Sequence, residues 1–432
     1  MAAVCLSVTA SAQNGGWTLS QCIEYALEHN LSVKQSGINV EQQEIALNSA
    51  ESNRLPGLSG SAGQNFSFGR GLTADNTYAN TNTTSTSFSL GGDMTIFNGN
   101  RIKNNIELSR LDLEAATSDL AKAKDDIRVA VAQAYVQILY DMEIVDVAEN
   151  QVAIDSVQVN RLKEMAANGK ASRAEVSAQE ATMAQSYVSL TQAENNLKLA
   201  VLELTQLLEL PSPDGFAVVR PSAESLGTGL LMTPEAIYEE AVSIKPVIRS
   251  EEIRLDHALK NIDLAKGAFL PSLSMSAGLG TNFYTSSGYD SKPFFNQIQN
   301  NFSQYVGVNL SVPIFSRFSN RNQLRSAQLS LQNQEIQLEN TKKQLFKEIQ
   351  QAYYNAVGAQ EKYISCEMAA KSAQDAFDLA QAKYESGKSG ITEYNEAKGR
   401  LISAESNLVQ ARYENLYQSK LLDFYRGLEL VF

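Results

Sequence analysis

Residues 271–278 read PSLSMSAG, and 215 positions earlier residues 56–63 read PGLSGSAG, identical at six of eight positions. Two copies of one octapeptide mark an internal duplication, and its extent decides the fold. The helical segments that lead into Pro56 and Pro271 begin at Thr18 and Thr233, again 215 apart. Further on the offset becomes 218: Ile96-Phe97 matches Ile314-Phe315, and Gln133-Ala134-Tyr135 matches Gln351-Ala352-Tyr353. Gly169-Lys170 likewise matches Gly387-Lys388, and Glu175 matches Glu393. The three extra residues fall between 63 and 96, in the loop-like part of the repeat. Each half, 13–212 and 233–432, reads as helix, two strands, long helix, turn, helix, with a linker at 213–232.

Strands are expected at about 56–69, 85–98, 271–285 and 302–315, where the period changes from helical to two. In 302–314, Val306, Val308, Leu310, Val312 and Ile314 alternate with Gly307, Asn309, Ser311 and Pro313. In 87–96, Phe88, Leu90, Met94 and Ile96 oppose Ser87, Ser89, Asp93 and Thr95. Strict alternation gives a strand one apolar and one polar face. Strands of roughly ten residues are long enough to cross a bilayer when tilted. The segments GLTADNTYANTNTT (71–84) and YTSSGYDSKPFFNQIQNN (284–301) read as long polar loops. Phe66, Phe68, Phe283, Tyr284, Phe302 and Tyr305 near the strand ends fit an interfacial girdle. A soluble strand pair on a core is the other reading. In lipid, four strands leave two open edges, and a barrel needs about eight strands. Several chains must then pool their strands: two supply about 8, three about 12.

From Arg101 to Ala167 there is no proline over 67 residues, about 100 Å as one helix. Val131, Ile138, Val145, Val152 and Val159 recur every seven residues, as do Ile349, Ala356, Tyr363, Ala370, Phe377 and Tyr384 in the second half. After short turns at 168–171 and 386–390 the heptads resume as Val176, Met183, Leu190, Leu197 and Leu204, and as Tyr394, Leu401, Leu408, Asn415 and Leu422. A sustained seven-residue period makes a left-handed coiled coil, and the turns make each pair an antiparallel hairpin. The returning helix, 172–209, is about half the outgoing length. The helix from Thr233 to Lys266 is expected to complete it end to end, and residues 18–53 to complete the C-terminal one.

Other classes find little support. A net charge of −12 argues against nucleic acid. No apolar run approaches the length of a transmembrane helix. Residues 1–12, MAAVCLSVTASA, resemble the rear of a signal peptide. His29 and His257 have no metal-ligand spacing, and Cys22 and Cys366 read as buried small hydrophobes rather than a disulfide framework. No catalytic, cofactor-binding or metal-ligating residue is expected. In YESGKSGITEYNEA (384–397) the Gly-Lys-Ser is no phosphate loop: Ala382 stands where the first glycine belongs, and a heptad helix leads in.

The whole pattern resembles the TolC family of outer membrane efflux proteins. The resemblance rests on the duplicated unit, the strand entries LP.LS.SAG, the corners IFNGNR and VPIFSRFSNR, and the tips G…S.AEV and G…ITEYNEA. It implies an α+β membrane protein: a homotrimer with a 12-stranded transmembrane β-barrel in the outer membrane, continued by a coiled-coil α-barrel across the periplasm. It implies a passive exit duct for drugs, metals or polypeptides, with no cofactor. Its partners would be a periplasmic adaptor and an inner-membrane RND or ABC transporter. Carried onto this chain, the periplasmic gate falls at Glu393 and Glu396, with Tyr384 and Glu175 linking helix pairs in the closed state. Gly169, Lys170, Gly387 and Lys388 become the adaptor contacts. Read by themselves, these residues are also first-turn charges favourable to a helix dipole and turn glycines followed by solvated lysines. Lys170 and Lys388 stand where the family often has Leu, and Ser389 where it has a basic gate residue, so a latch of the family type is not expected. A coiled-coil adhesive or structural protein and a stand-alone porin are the rival readings.

Overall fold

The computed structural model describes residues 16–72, 76–221, 232–287 and 290–431. The expected signal-peptide remnant, 1–12, lies outside these, as do residues 222–231 of the expected linker. The first half contributes α1 (Leu19–His29), α2 (Leu31–Ser52), β1 (Gly57–Leu72), β2 (Tyr78–Asn98), α3 (Arg101–Ala167) and α4 (Arg173–Leu207). The second contributes α5 (Pro234–Ile244), α6 (Pro246–Gly267), β3 (Ser272–Ser286), α7 (Phe294–Asn300), β4 (Ser303–Ser311), α8 (Ser319–Glu385) and α9 (Ile391–Tyr425). The duplication is exact in the helices: α3 and α8 are each 67 residues, α4 and α9 each 35, and the second pair begins 218 positions after the first. No glycine or proline interrupts α3, which is why one helix of about 100 Å can form.

The chain forms two compact units, one of Met1–Ile38, Thr117–Arg249 and Glu339–Phe432, the other of Asn39–Ala116 and Ser250–Leu338. The first unit builds one core twice. Cys22 and Ala26 of α1 pack in a cluster with Val131 and Ile138 of α3. Ile237 and Ala241 of α5 pack with Ile349 and Ala356 of α8, the same positions one repeat later. The helical segments of the notional 18–53 and 233–266 each break once, at Asn30 and at Lys245. The residue at each break reaches a helix end. Asn30 Nδ2 donates to Leu207 O (3.0 Å) at the end of α4, and Lys245 Nζ donates to Phe424 O (2.9 Å) at the end of α9. Helix ends leave carbonyls without intrahelical partners; Asn30 satisfies Leu207 O, and Lys245 adds a second bond to Phe424 O, which also accepts from Gly427 N (3.0 Å). Lys245 also sits 3.5 Å from the Phe424 ring centroid. Burial pulls its ammonium down, against the upward pull of Asp125. These bonds correct the expected stacking: the helices of each half meet the returning helix of their own half, not of the other.

The second unit holds an antiparallel sheet in the order β1-β2-β3-β4. Its strands differ from expectation at both ends. β2 starts at Tyr78 and β1 runs to Leu72, so most of 71–84 is strand rather than loop. That stretch is polar on both faces and carries no hydrophobic alternation. Its β-branched threonines favour the pleated surface, and hydroxyls pair across strands, as Ser61 with Ser89 (2.7 Å) and Thr81 with Ser286 (2.8 Å). The loop read at 284–301 carries α7. β4 ends at Ser311, not 315, because Pro313 has no ladder donor. At the corner between strand and helix, Gly99 adopts φ +67° and a Cβ on Gly267 would lie 2.5 Å from Gly99 O. Gly267→Ala should therefore destabilise the protein clearly, by about 1–3 kcal/mol of forced backbone shift. Gly358→Ala, in an open position of α8, should be neutral or stabilise by up to about 1 kcal/mol. Thermal unfolding of the two variants in detergent checks the contrast.

Candidate functional site

Both hairpin turns lie in the first unit and leave their outgoing helices alike. Lys170 N bonds Met165 O (2.8 Å) and Gly169 N bonds Ala166 O (3.0 Å), with Gly169 at φ +71°. Lys388 and Gly387 repeat this with Lys383 O (2.8 Å) and Tyr384 O (3.0 Å), Gly387 at φ +70°. This is the paired-bond helix ending that needs a left-handed residue, hence glycine. All four turn residues are exposed.

The returning helices begin differently. Ser172 caps α4 in a reciprocal box: Glu175 N donates to Ser172 Oγ (3.2 Å), and Ser172 N donates to Glu175 Oε2 (2.6 Å). Those bonds hold the exposed Glu175 carboxyl below its ordinary range, the backbone N–H first. In α9 the N-cap is Gly390, which offers no side chain. Glu393, the counterpart of Glu175, instead lies 3.2 Å from Lys383 Nζ across its own turn. Glu396 is exposed on a groove lined by Cys366, Ala369, Gly399 and Arg400. Tyr384 joins an aromatic cluster with Tyr394 (5.3 Å between centroids), and the Arg161 guanidinium of α3 sits 5.4 Å from its ring centroid. Tyr384 thus meets the other hairpin through Arg161, while Glu175 serves its own helix start.

One stabilising group was not anticipated from the heptads. Asp155 of α3 is fully buried and paired with Lys398 of α9, itself buried. Around Asp155, Gln151 donates at 2.6 Å, Ser186 at 2.7 Å and Gln179 at 3.1 Å. Asn395 of α9 donates to Gln179 Oε1 (3.3 Å). Two residues of α9 therefore grip α3 and α4 through one carboxylate and one amide. Burial raises the neighbouring Tyr394 hydroxyl, and the negative charges of Asp155 and Glu385 add to it. The buried hydroxyl of Ser389 makes no hydrogen bond within the chain among the described residues. The signal for Asp155 was present: it lies three past Val152 and four before Val159, a core position of the seam, and an acid there requires a partner. Of the Val176 stripe singled out by hydrophobicity, Leu204 is fully buried; nearer the turn the buried stripe in α4 is Gln179, Ser186, Ala193 and Ala200, three residues along.

The two histidines have local uses: His29 stacks on Tyr25 (4.0 Å), and His257 lies 3.4 Å from Asp112. Among the described residues no cluster could hold a metal ion, and no helix is long and apolar enough to cross a membrane.

The outer membrane efflux protein family matches residues 22–209 and 237–427, nearly all of both halves. The chain belongs to that family. BepC of Brucella suis, an outer membrane efflux protein, is 21% identical over 408 residues, 94% of this chain and 84% of that one. TolC of Vibrio cholerae is 25% identical over 310 residues, 69% and 67%. CusC of Escherichia coli, a cation efflux system protein, is 23% identical over 435 residues, 93% and 86%. In fold, the solved structure of CusC matches with a TM-score of 0.79 at 19% identity, over 97% of this chain and 96% of that one. VceC from Vibrio cholerae matches at 0.78 and 18%, over 95% and 96%. The family consists of outer-membrane channels, so this chain is an efflux channel of the outer membrane and not an enzyme.

Removing one partner of a buried ion pair leaves the other charge uncompensated, at about 3–5 kcal/mol. Lys398→Met should lower the unfolding midpoint markedly. Adding Asp155→Leu should recover only part of the loss, because it removes the unpaired charge but leaves the Gln151, Gln179 and Ser186 donors without their acceptor. A double-mutant cycle by denaturant unfolding checks the sign of the coupling.

Proposed function

We propose that three copies pool their sheets into a 12-stranded barrel and form the exit duct of a tripartite pump. The observation that carries this is a sheet with both outer edges free on a chain of this family. Val306, Val308 and Leu310 of β4 are 64–76% exposed in the single chain. A lipid-facing barrel wall gives such residues an apolar surrounding. A backbone group left unpaired in lipid costs several kcal/mol, which favours closure by further copies over an open sheet.

The duct is passive, and its partners follow from its place. The exposed turns at Gly169, Lys170, Gly387 and Lys388 are the surfaces offered to a periplasmic adaptor, which links the duct to an inner-membrane transporter of the RND or ABC class. Glu393 and Glu396, three copies of each, form an acidic ring where the hairpin ends converge. Like charges around a narrow opening favour cations at the entrance. Tyr384 with Arg161, and Lys398 with Asp155, hold the second hairpin to the first when the opening is closed. Glu175, engaged at its own cap, supports the turn rather than the ring.

Lys383 stands beside Glu393 and offsets part of its charge, whereas Glu396 faces its groove. Glu396→Gln should therefore reduce cation preference in single-channel recordings more than Glu393→Gln does, and the double variant most. Unchanged reversal potentials in the double variant reject the acidic ring. Trimer mass by native mass spectrometry tests the assembly separately.

A further inference from the structure

The two free edges of the sheet are unequal. β1 spans 16 residues and β4 only nine. β4 pairs with β3 from Ser272 to Gly280 and no further. Above that level no strand among the described residues lies beside the outer edge of β3, yet its backbone is not bare. Gln297 of α7 accepts from Tyr284 N (3.0 Å) and donates to Tyr284 O (3.0 Å). One side-chain amide thus offers the donor and acceptor that a strand residue would offer. Asn301 donates to Asn282 O (2.7 Å) and Thr281 donates to Ile298 O (2.6 Å). Phe294 packs on Phe283, 5.0 Å between centroids. α7 therefore stands where β4 would have continued.

The far face of α7 repeats this chemistry. At about 100° per residue, Gln299 lies some 200° from Gln297, on the opposite side. Phe295, four residues before Gln299, shares that side and is 81% exposed. The Gln299 side chain is exposed. On the other edge of the sheet, Ser61 of β1 is level with Ser303 at the top of β4, and β1 continues past it for eleven residues, to Leu72. Its Phe66 is level with Thr84 of β2 and, through it, with Thr285 of β3, the height at which α7 sits. Phe66 and Phe68 are 60% and 76% exposed.

We propose that α7 is an edge cap shared by two copies. It closes the upper β3 edge of its own chain with Gln297. With Gln299 and Phe295 it receives the upper β1 edge of the next copy, where β4 is too short to pair. The proposal rests on the reading that copies pool their strands, and names the partner surface that pairing by β4 alone leaves open.

Cysteine cross-linking tests it, in a full-length background without Cys5, Cys22 and Cys366. Phe295→Cys is combined in turn with a cysteine at each of residues 64–70. As a control, Val308→Cys is combined with a cysteine at each of residues 57–65. The expected result is interchain-linked dimers and trimers on oxidation in both series. Linking in the control series alone overturns the shared cap and leaves the pooled barrel standing. Linking in neither overturns both. A second measurement needs no cysteine. Gln299→Ala should speed exchange of the upper β1 amides in the trimer roughly fivefold, the loss of about one net hydrogen bond. Gln297→Ala should instead speed exchange at Tyr284. Unchanged β1 exchange in Gln299→Ala overturns the proposal.

Discussion

A strand in lipid has no water to take its backbone hydrogen bonds, and from that constraint most of this chain follows. Two strands per repeat and two repeats give four strands in one sheet, which no single chain can close. On the proposed pooling of strands, the free edges make association with further copies part of folding rather than an addition to it. Among the described residues no helix is long and apolar enough to cross a membrane. The work of the helices lies outside the lipid, where a seven-residue seam and solvated flanks suffice.

Within the first unit the α4 side of the seam turns polar toward its turn, while Val159 and Leu162 of α3 and the cluster of Phe377, Tyr394 and Leu401 stay apolar there. Higher up, Leu204 and Leu208 of α4 join Val131, Ile138 and Leu139 in an apolar cluster. Nearer the turns, the buried stripe becomes Gln179 and Ser186, facing Asp155. An apolar seam and a polar seam cost different amounts to separate. Water solvates a carboxylate, an ammonium and two amides once the helices part, which returns much of the desolvation penalty of the closed state. The apolar part regains nothing in this way.

Much of this was legible in the sequence because repetition and periodicity are global signals. The offsets of 215 and 218 survive into helices of equal length, and the heptads place α3 with α4 and α8 with α9. What escaped reading was local or polar. The threonine-rich start of β2 has no apolar face to alternate. Helix α7 hides in a stretch of seven residues, four of them Asn or Gln. The swap in helix stacking escaped because lengths alone cannot say which end meets which; Asn30 and Lys245 decide it with one hydrogen bond each. Asp155 escaped because the seam was traced through its valines, and its partner Lys398 lies 243 residues away.

The duplication also shows how one ancestral turn can come to serve two ends. Glu175 and Glu393 occupy the same place in their repeats. Ser172 precedes the first by three residues and Gly390 precedes the second. A serine there binds the acid's chain start into a capping box, so the Glu175 carboxylate is taken up by backbone N–H. A glycine cannot, and Glu393 is left to a surface lysine, in an exposed pair of the kind that contributes at most about 1 kcal/mol. The acid that remains available to an opening is therefore chosen by its neighbour three residues back, and not by its own identity. On the reading proposed here, the first hairpin has spent its glutamate on stiffness and the second has kept its own for the entrance.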